Sequence, residues 1–154
     1  MLNEDYRDML RILSEEKVDF LLVGAYALAA HGYLRATMDI DLWVMPSPQN
    51  AEAVLTALQR FGAPLHEVTH RDFEEEGTVF QIGIAPRRID ILTSLTGLEF
   101  NEVYARSTVV NVDGIDVRIP LVEDLITNKK STGRTRDLAD VEALEAIRDA
   151  QKDI

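Results

Sequence analysis

Two runs of this chain, ATMDIDLWV at 36–44 and RRIDILTSL at 87–95, set aspartates into otherwise apolar strands. Asp39 and Asp41 are two positions apart, so on an extended chain they share a face, about 6–7 Å from each other. Met38, Ile40, Leu42 and Val44 take the opposite face, while Trp43 joins the aspartates and marks their face as more than a plain solvent surface. Asp90 again stands alone, between Ile89 and Ile91. The ordinary reading is a half-buried strand with aspartates on its wet side. Aspartate is a poor strand former, however, and Thr, Lys or Glu would normally serve there. As sheet neighbours, the two strands would bring three carboxylates to one spot. Such a cluster repels itself without cations and suits Mg²⁺, which prefers oxygen ligands.

The surrounding pattern predicts an α/β (α+β) architecture, a mixed β-sheet flanked by helices, with two helices closing the chain. Residues 3–16 carry Tyr6, Met9, Leu10 and Leu13 at helical spacing, with Asn3 as the cap. DFLLVG reads as a buried strand ending at Gly24, and AYALAAHG as a short helix stopped by Gly32. SPQNAEAVLTALQRFG has Ser47 to cap a helix, Pro48 at its first position and Gly62 to end it. GTVFQIGI and RRIDILTSL are neighbouring strands, and STVVNV-DG-IDVRIP is a hairpin turning at Asp113-Gly114. Helices are expected around 121–131 and 136–151.

The 154 residues suffice for one domain with a real core, spanning 1–154. Hydrophobic content of 46% and charged content of 28% are ordinary for a soluble globular protein. There is no cysteine, which removes disulfides, zinc-thiolate sites and thiol nucleophiles and agrees with a reducing cytoplasm. The acidic opening, MLNEDYRDML, lacks a signal-peptide layout, and the most apolar run, FLLVGAYALAA, is too short to span a bilayer. A soluble, cytoplasmic protein is expected. The net charge of −11 argues against general attraction to nucleic acid. NKKSTGRTR at 128–136 concentrates Lys129, Lys130, Arg134 and Arg136 in this acidic chain. That stretch offers a local phosphate contact, or simply a basic helix end that complements the helix dipole.

Gly24 and Ala25 sit where a strand runs into a helix. Exposed backbone N–H groups at such a turn can receive a phosphate, and small residues permit close approach. Together, VGAYALAAHGYLRATMDIDLWV, RIDIL and LITNKKSTGRTRDLADVEAL resemble the polymerase-β-type nucleotidyltransferase superfamily. The resemblance is to its small bacterial members, which include aminoglycoside nucleotidyltransferases and nucleotidyltransferase-type toxins. In that family a Gly-Gly or Gly-Ser pair precedes a DxD strand, and a third carboxylate follows on a neighbouring strand. The matching positions here are Gly24-Ala25, Asp39-Ile40-Asp41 and Asp90. Ala25 departs from the pattern, because it has no hydroxyl for a phosphate and offers only its backbone N–H; Arg35 and Thr37, just before the aspartates, either compensate or are simply loop residues.

The resemblance implies a nucleotidyltransferase fold and transfer of a nucleoside monophosphate from an NTP to an acceptor hydroxyl. Asp39 and Asp41 would hold Mg²⁺ (or Mn²⁺) on the triphosphate. Asp90 would bind a second metal or take a proton from the acceptor. Gly24, Ala25, Arg35, Thr37, Lys129, Arg134 and Arg136 would contact the nucleotide, with Lys129 preferred to Lys130. Asp137 and Asp140 would cap the helix or pair with these bases. The acceptor is a small molecule, an RNA end or a protein, and an extended nucleic-acid duplex is not expected. The alternative is a catalytically silent relative acting as a binding or regulatory module, with a protein partner in a toxin–antitoxin pair. His66 and His70 have i, i+4 spacing but no third ligand, and His31 reads as structural.

Overall fold

A computed structural model describes residues 2–34, 39–84 and 87–152. The chain opens with α1 (Glu4–Glu15), capped by Asn3, whose side chain accepts from the Tyr6 N–H. Strand β1 (Phe20–Val23) passes directly into α2 (Gly24–Ala30), and β2 (Ile40–Val44) and α3 (Pro48–Phe61) follow. Ser47 caps α3, Pro48 opens it, and Gly62 ends it in the left-handed conformation with φ +90°. A short α4 (His70–Glu74) precedes β3 (Val79–Ile82) and β4 (Ile89–Leu92). Helix α5 (Phe100–Ala105) leads to β5 (Thr108–Val112) and β6 (Ile115–Ile119), then α6 (Val122–Thr132) and α7 (Thr135–Lys152). Helices α4 and α5 fall outside the sequence pattern. Each is at most 6 residues long, shorter than the window in which a helical period becomes legible.

The principal sheet has the order β1-β2-β4-β3. Its central pair, β2 and β4, is parallel, and the outer pairings are antiparallel, which makes the sheet mixed. The Asp113-Gly114 turn closes a separate hairpin of β5 and β6. Alternation along the central strands feeds two apolar clusters. Phe20, Leu22, Ile40, Leu42, Val44 and Ile91 meet α1, α2 and α3 in the main core. Leu21, Val23 and Trp43 meet Phe100 and Val103 of α5 on the other face. Trp43 packs edge-on against Phe100, with ring centroids 5.2 Å apart. The aspartates' face is therefore a covered one, and α5 is what covers it next to Trp43.

Asn50 pins the end of the sheet away from the aspartates. It is buried, accepts from the Asp19 N–H at 2.9 Å, and donates to the carbonyls of Asp19 at 3.0 Å and Met45 at 2.9 Å. Asp19 and Met45 flank the β1–β2 pair, so this clamp helps hold the register in which Val23 faces Asp41. Asn50→Ala removes all three bonds and leaves the part-buried Asp19 N–H and Met45 carbonyl without this partner. Urea denaturation should show a loss of about 2–4 kcal/mol; a variant as stable as the wild type would contradict the clamp.

Candidate active site

The parallel register of β2 and β4 places Asp41 directly opposite Asp90. Asp39 stands at the entry of β2, one residue before its first paired position. All three acids thus gather at one end of the two central strands. Arg88, just ahead of β4, lies among them. Its Nη2 is 3.1 Å from Asp39 Oδ2, and its Nε and Nη2 donate to the two Asp90 oxygens at 2.8 and 3.2 Å. The backbone carbonyl of Arg88 accepts from Tyr6 Oη at 3.1 Å and from the Ile40 N–H at 3.0 Å, which anchors the arginine at this point. Arg88 is absent from the sequence reading. The available signal was its place two residues before Asp90, on the same strand face.

Asp41 faces the consequence of this crowding. Its burial, the charges of Asp90 and Asp39, and a hydrogen bond to Asp90 raise its carboxyl to about 6, against a partial offset from Arg88. Gly24 makes room for that carboxylate. Its φ is +67°, and a β-carbon at this position would collide with Asp41 Oδ2. Glycine is therefore needed twice, for the backbone and for the space.

Beside Asp41 opens a pocket of about 190 Å³, lined by Gly24, Leu92, Thr96, Asn128, Lys129 and Arg134 among others. Asn128 is fixed by donating to the Thr96 carbonyl at 2.9 Å. Lys129 and Arg134 lie at the end of α6 and the turn after it, where Gly133 takes φ +68°. Lys129 Nζ is 3.4 Å from Asp137 Oδ1 and 3.4 Å from Asp140 Oδ2. Arg134 Nε donates to Asp137 Oδ2 at 2.6 Å, as does Thr132 Oγ1 at 2.6 Å. Burial alone would raise the Asp137 carboxyl, but the bonds from Thr132 and Arg134 and the charges of Lys129 and Arg134 overcome it, to about 2.

The residues singled out from the sequence thus separate. Gly24, Asp41, Lys129 and Arg134 share the pocket, and Asp39 and Asp90 stand beside Asp41. Ala25 and Arg136 are not among the lining residues, and Lys130 and Arg136 are exposed. Arg35 and Thr37 lie outside the described residues. His70 opens α4 while His66 precedes it, so their spacing does not put them on one helix. His31 Nε2 lies 2.8 Å from the Pro120 carbonyl, a structural bond.

The match to known proteins rests on the whole chain. Residues 2–153 fit the model of a family described as "Nucleotidyl transferase of unknown function (DUF2204)". The chain belongs to this nucleotidyl transferase family. No curated protein matches it in sequence. Among solved structures it is similar to a candidate nucleotidyltransferase from Thermotoga maritima, with a TM-score of 0.58 and 16% identity over 100% of this chain and 97% of that one. The lincosamide antibiotic adenylyltransferase LnuA, lincomycin-bound, gives a TM-score of 0.61 at 13% identity, over 96% of this chain and 98% of that one. ANT(2'')-Ia in complex with adenylyl-2''-tobramycin gives 0.56 at 15%, over 96% and 95%. At these identities the likeness is one of fold, and the fold is that of the nucleotidyltransferases. No helix among the described residues is long and apolar enough to cross a membrane.

Among the described residues no group of three or more His, Cys, Asp or Glu has metal-holding geometry. Arg88 stands between Asp39 and Asp90 and supplies positive charge there. Asp39, Asp41 and Asp90 are oxygen donors of the type a hard divalent cation takes, and burial first, then the charges of Asp90 and Asp39, raise the Asp41 carboxyl despite Arg88.

A pH dependence follows in the metal-free protein. Asp41 holds its proton up to about pH 6 when folded, against an ordinary value of 3.8. Its contribution to stability is therefore fully present below the unfolded value and is lost as pH rises through the folded one. Near neutral pH the ionised carboxylate should cost on the order of 3 kcal/mol. Asp41→Asn should remove this slope and melt higher than wild type near neutral pH in chelator, with little difference at about pH 4. Denaturation curves of both proteins across that range check it; parallel curves would contradict it.

Proposed function

We propose that the protein transfers a nucleoside monophosphate from a metal-bound NTP to an acceptor hydroxyl. The observation that carries this reading is the in-register pairing of Asp41 with Asp90, with Asp39 beside them, at a pocket shared by Gly24 and Lys129. Asp39 and Asp41 would hold Mg²⁺ or Mn²⁺, with Asp90 as a further ligand. The cation, when bound, neutralises triphosphate charge and favours departure of pyrophosphate.

The chain's own groups do the rest. The Gly24 turn offers backbone N–H groups at the start of α2, and Gly24 lets the triphosphate approach beside Asp41. Ala25 contributes its backbone only. Lys129 and Arg134, which line the same pocket, supply positive charge held in place by Asp137 and Asp140. Arg88 grips both Asp90 oxygens, orienting that carboxylate to accept the proton of the attacking hydroxyl or to ligate a cation. The hydroxyl attacks the α-phosphorus in line, the bond to pyrophosphate breaks, and no protein nucleophile is required. An acceptor with a compact footprint agrees with the net charge of −11. A second reading, a silent binding module, draws support from Ala25 and from Arg88 already paired with Asp39 and Asp90.

The two readings separate in one set of experiments. Mg²⁺-NTP should raise the melting temperature by mass action, and the rise should need the metal and vanish in Asp39→Ala. Incubation with α-labelled NTPs and pools of small molecules, RNA ends or proteins should then give a labelled acceptor. Metal-dependent binding without transfer to any acceptor favours the silent module. Absence of NTP binding at millimolar ligand contradicts both the enzyme and its proposed site.

A further inference from the structure

Asp137 and Asp140 stand behind the pocket wall, against Lys129, which lines it. Both project from α7, their side chains only 3% exposed, and both contact one ammonium, that of Lys129 on α6. We propose that this buried pair is a positioning device, which holds Lys129 as a preformed ligand for the triphosphate. It rests on the reading of the pocket given above.

The division of labour among the oxygens supports it. Asp137 Oδ2 accepts from Thr132 and Arg134, leaving Oδ1 for Lys129, while Asp140 meets Lys129 through Oδ2. An ammonium has three N–H donors. The two carboxylates can engage two of them and set the direction of the third. Lys129 itself is only 15% exposed and lines the same pocket as Gly24 and Asp41. A lysine free in solution would have to give up its rotamer freedom on meeting a phosphate. Here that freedom is already restricted by two fixed partners. The geometry also explains why Lys129 and not its neighbour is suited to the task, since Lys130 is exposed.

The sign of one substitution decides the matter. If the acids were only charged groups near an anion site, removing one would tighten anion binding, because a repelling charge is lost. A positioning role requires the opposite. Inorganic tripolyphosphate with Mg²⁺ is the probe, titrated calorimetrically into the full chain, with circular dichroism melting to verify that each variant is folded.

Asp140→Asn should weaken binding about tenfold. Lys129→Met should weaken it comparably, and the double variant should be no weaker than Lys129→Met alone, since the acid acts through the lysine. Asp140→Glu, which keeps the charge but displaces the contact, should fall between wild type and Asp140→Asn. It carries the test should Asp140→Asn fail to fold. Unchanged or tighter binding in folded Asp140→Asn, or wild-type affinity in Asp140→Glu, overturns the proposal alone. A wild type that binds neither tripolyphosphate nor Mg²⁺-ATP overturns the pocket reading and this proposal with it.

Discussion

The parallel pairing of β2 with β4 is the constraint on which the site depends. Its register sets Asp41 across from Asp90, and the antiparallel partner β1 sets Val23 on the other side of Asp41. Because side chains alternate with a period of two, a slip of one residue would turn one aspartate into the main core and leave the other on the far face. The register is held by the apolar residues between the acids. Ile40, Leu42, Ile89 and Ile91 are buried on one side, and Trp43 packs beneath α5 on the other. The hydrophobic core and the acidic site are thus two readings of the same alternation.

Concentrating negative charge in this way is unfavourable, and the fold answers it differently at its two anionic centres. Around Asp137 and Asp140, cations and a hydroxyl from the same chain supply the balance: Lys129, Arg134 and Thr132 converge, and the Asp137 carboxyl falls to about 2. Around Asp39, Asp41 and Asp90, the chain supplies Arg88, and the Asp41 carboxyl still rises to about 6. At the first centre two acids meet two cations. At the second, three acids meet one arginine, and the absent β-carbon of Gly24 gives its space to the Asp41 carboxylate.

Much of this was legible in the sequence because it is local. Asn3, Ser47, Pro48 and Gly62 act on neighbouring backbone, and each serves the helix end expected of it. Asp113-Gly114 has φ of 51° and 87°, which a two-residue hairpin turn requires. Lone aspartates in apolar strands exposed the candidate site for the same reason, since apolar alternation makes a charged residue conspicuous. What escaped depends on distance across the fold. The short helices α4 and α5 carry too few turns to display a period. Arg88 matters because β2 and β4 are adjacent and parallel, and no spacing along the chain announces its contacts. The pairing of Asp137 and Asp140 with the nearby bases was one of the two roles open to them in the sequence, and α7 folding back along α6 brings both against Lys129.

The central claim is that the aspartate cluster takes a divalent cation together with a nucleotide. Electron paramagnetic resonance of Mn²⁺ tests it directly, because Mn²⁺ accepts the same oxygen ligands and its free and bound signals differ. In the presence of a non-hydrolysable NTP analogue, the protein should deplete free Mn²⁺ beyond what the analogue alone does, and Asp39→Asn should abolish that excess. Equal depletion by the two proteins, or no depletion beyond the analogue alone, would contradict the account.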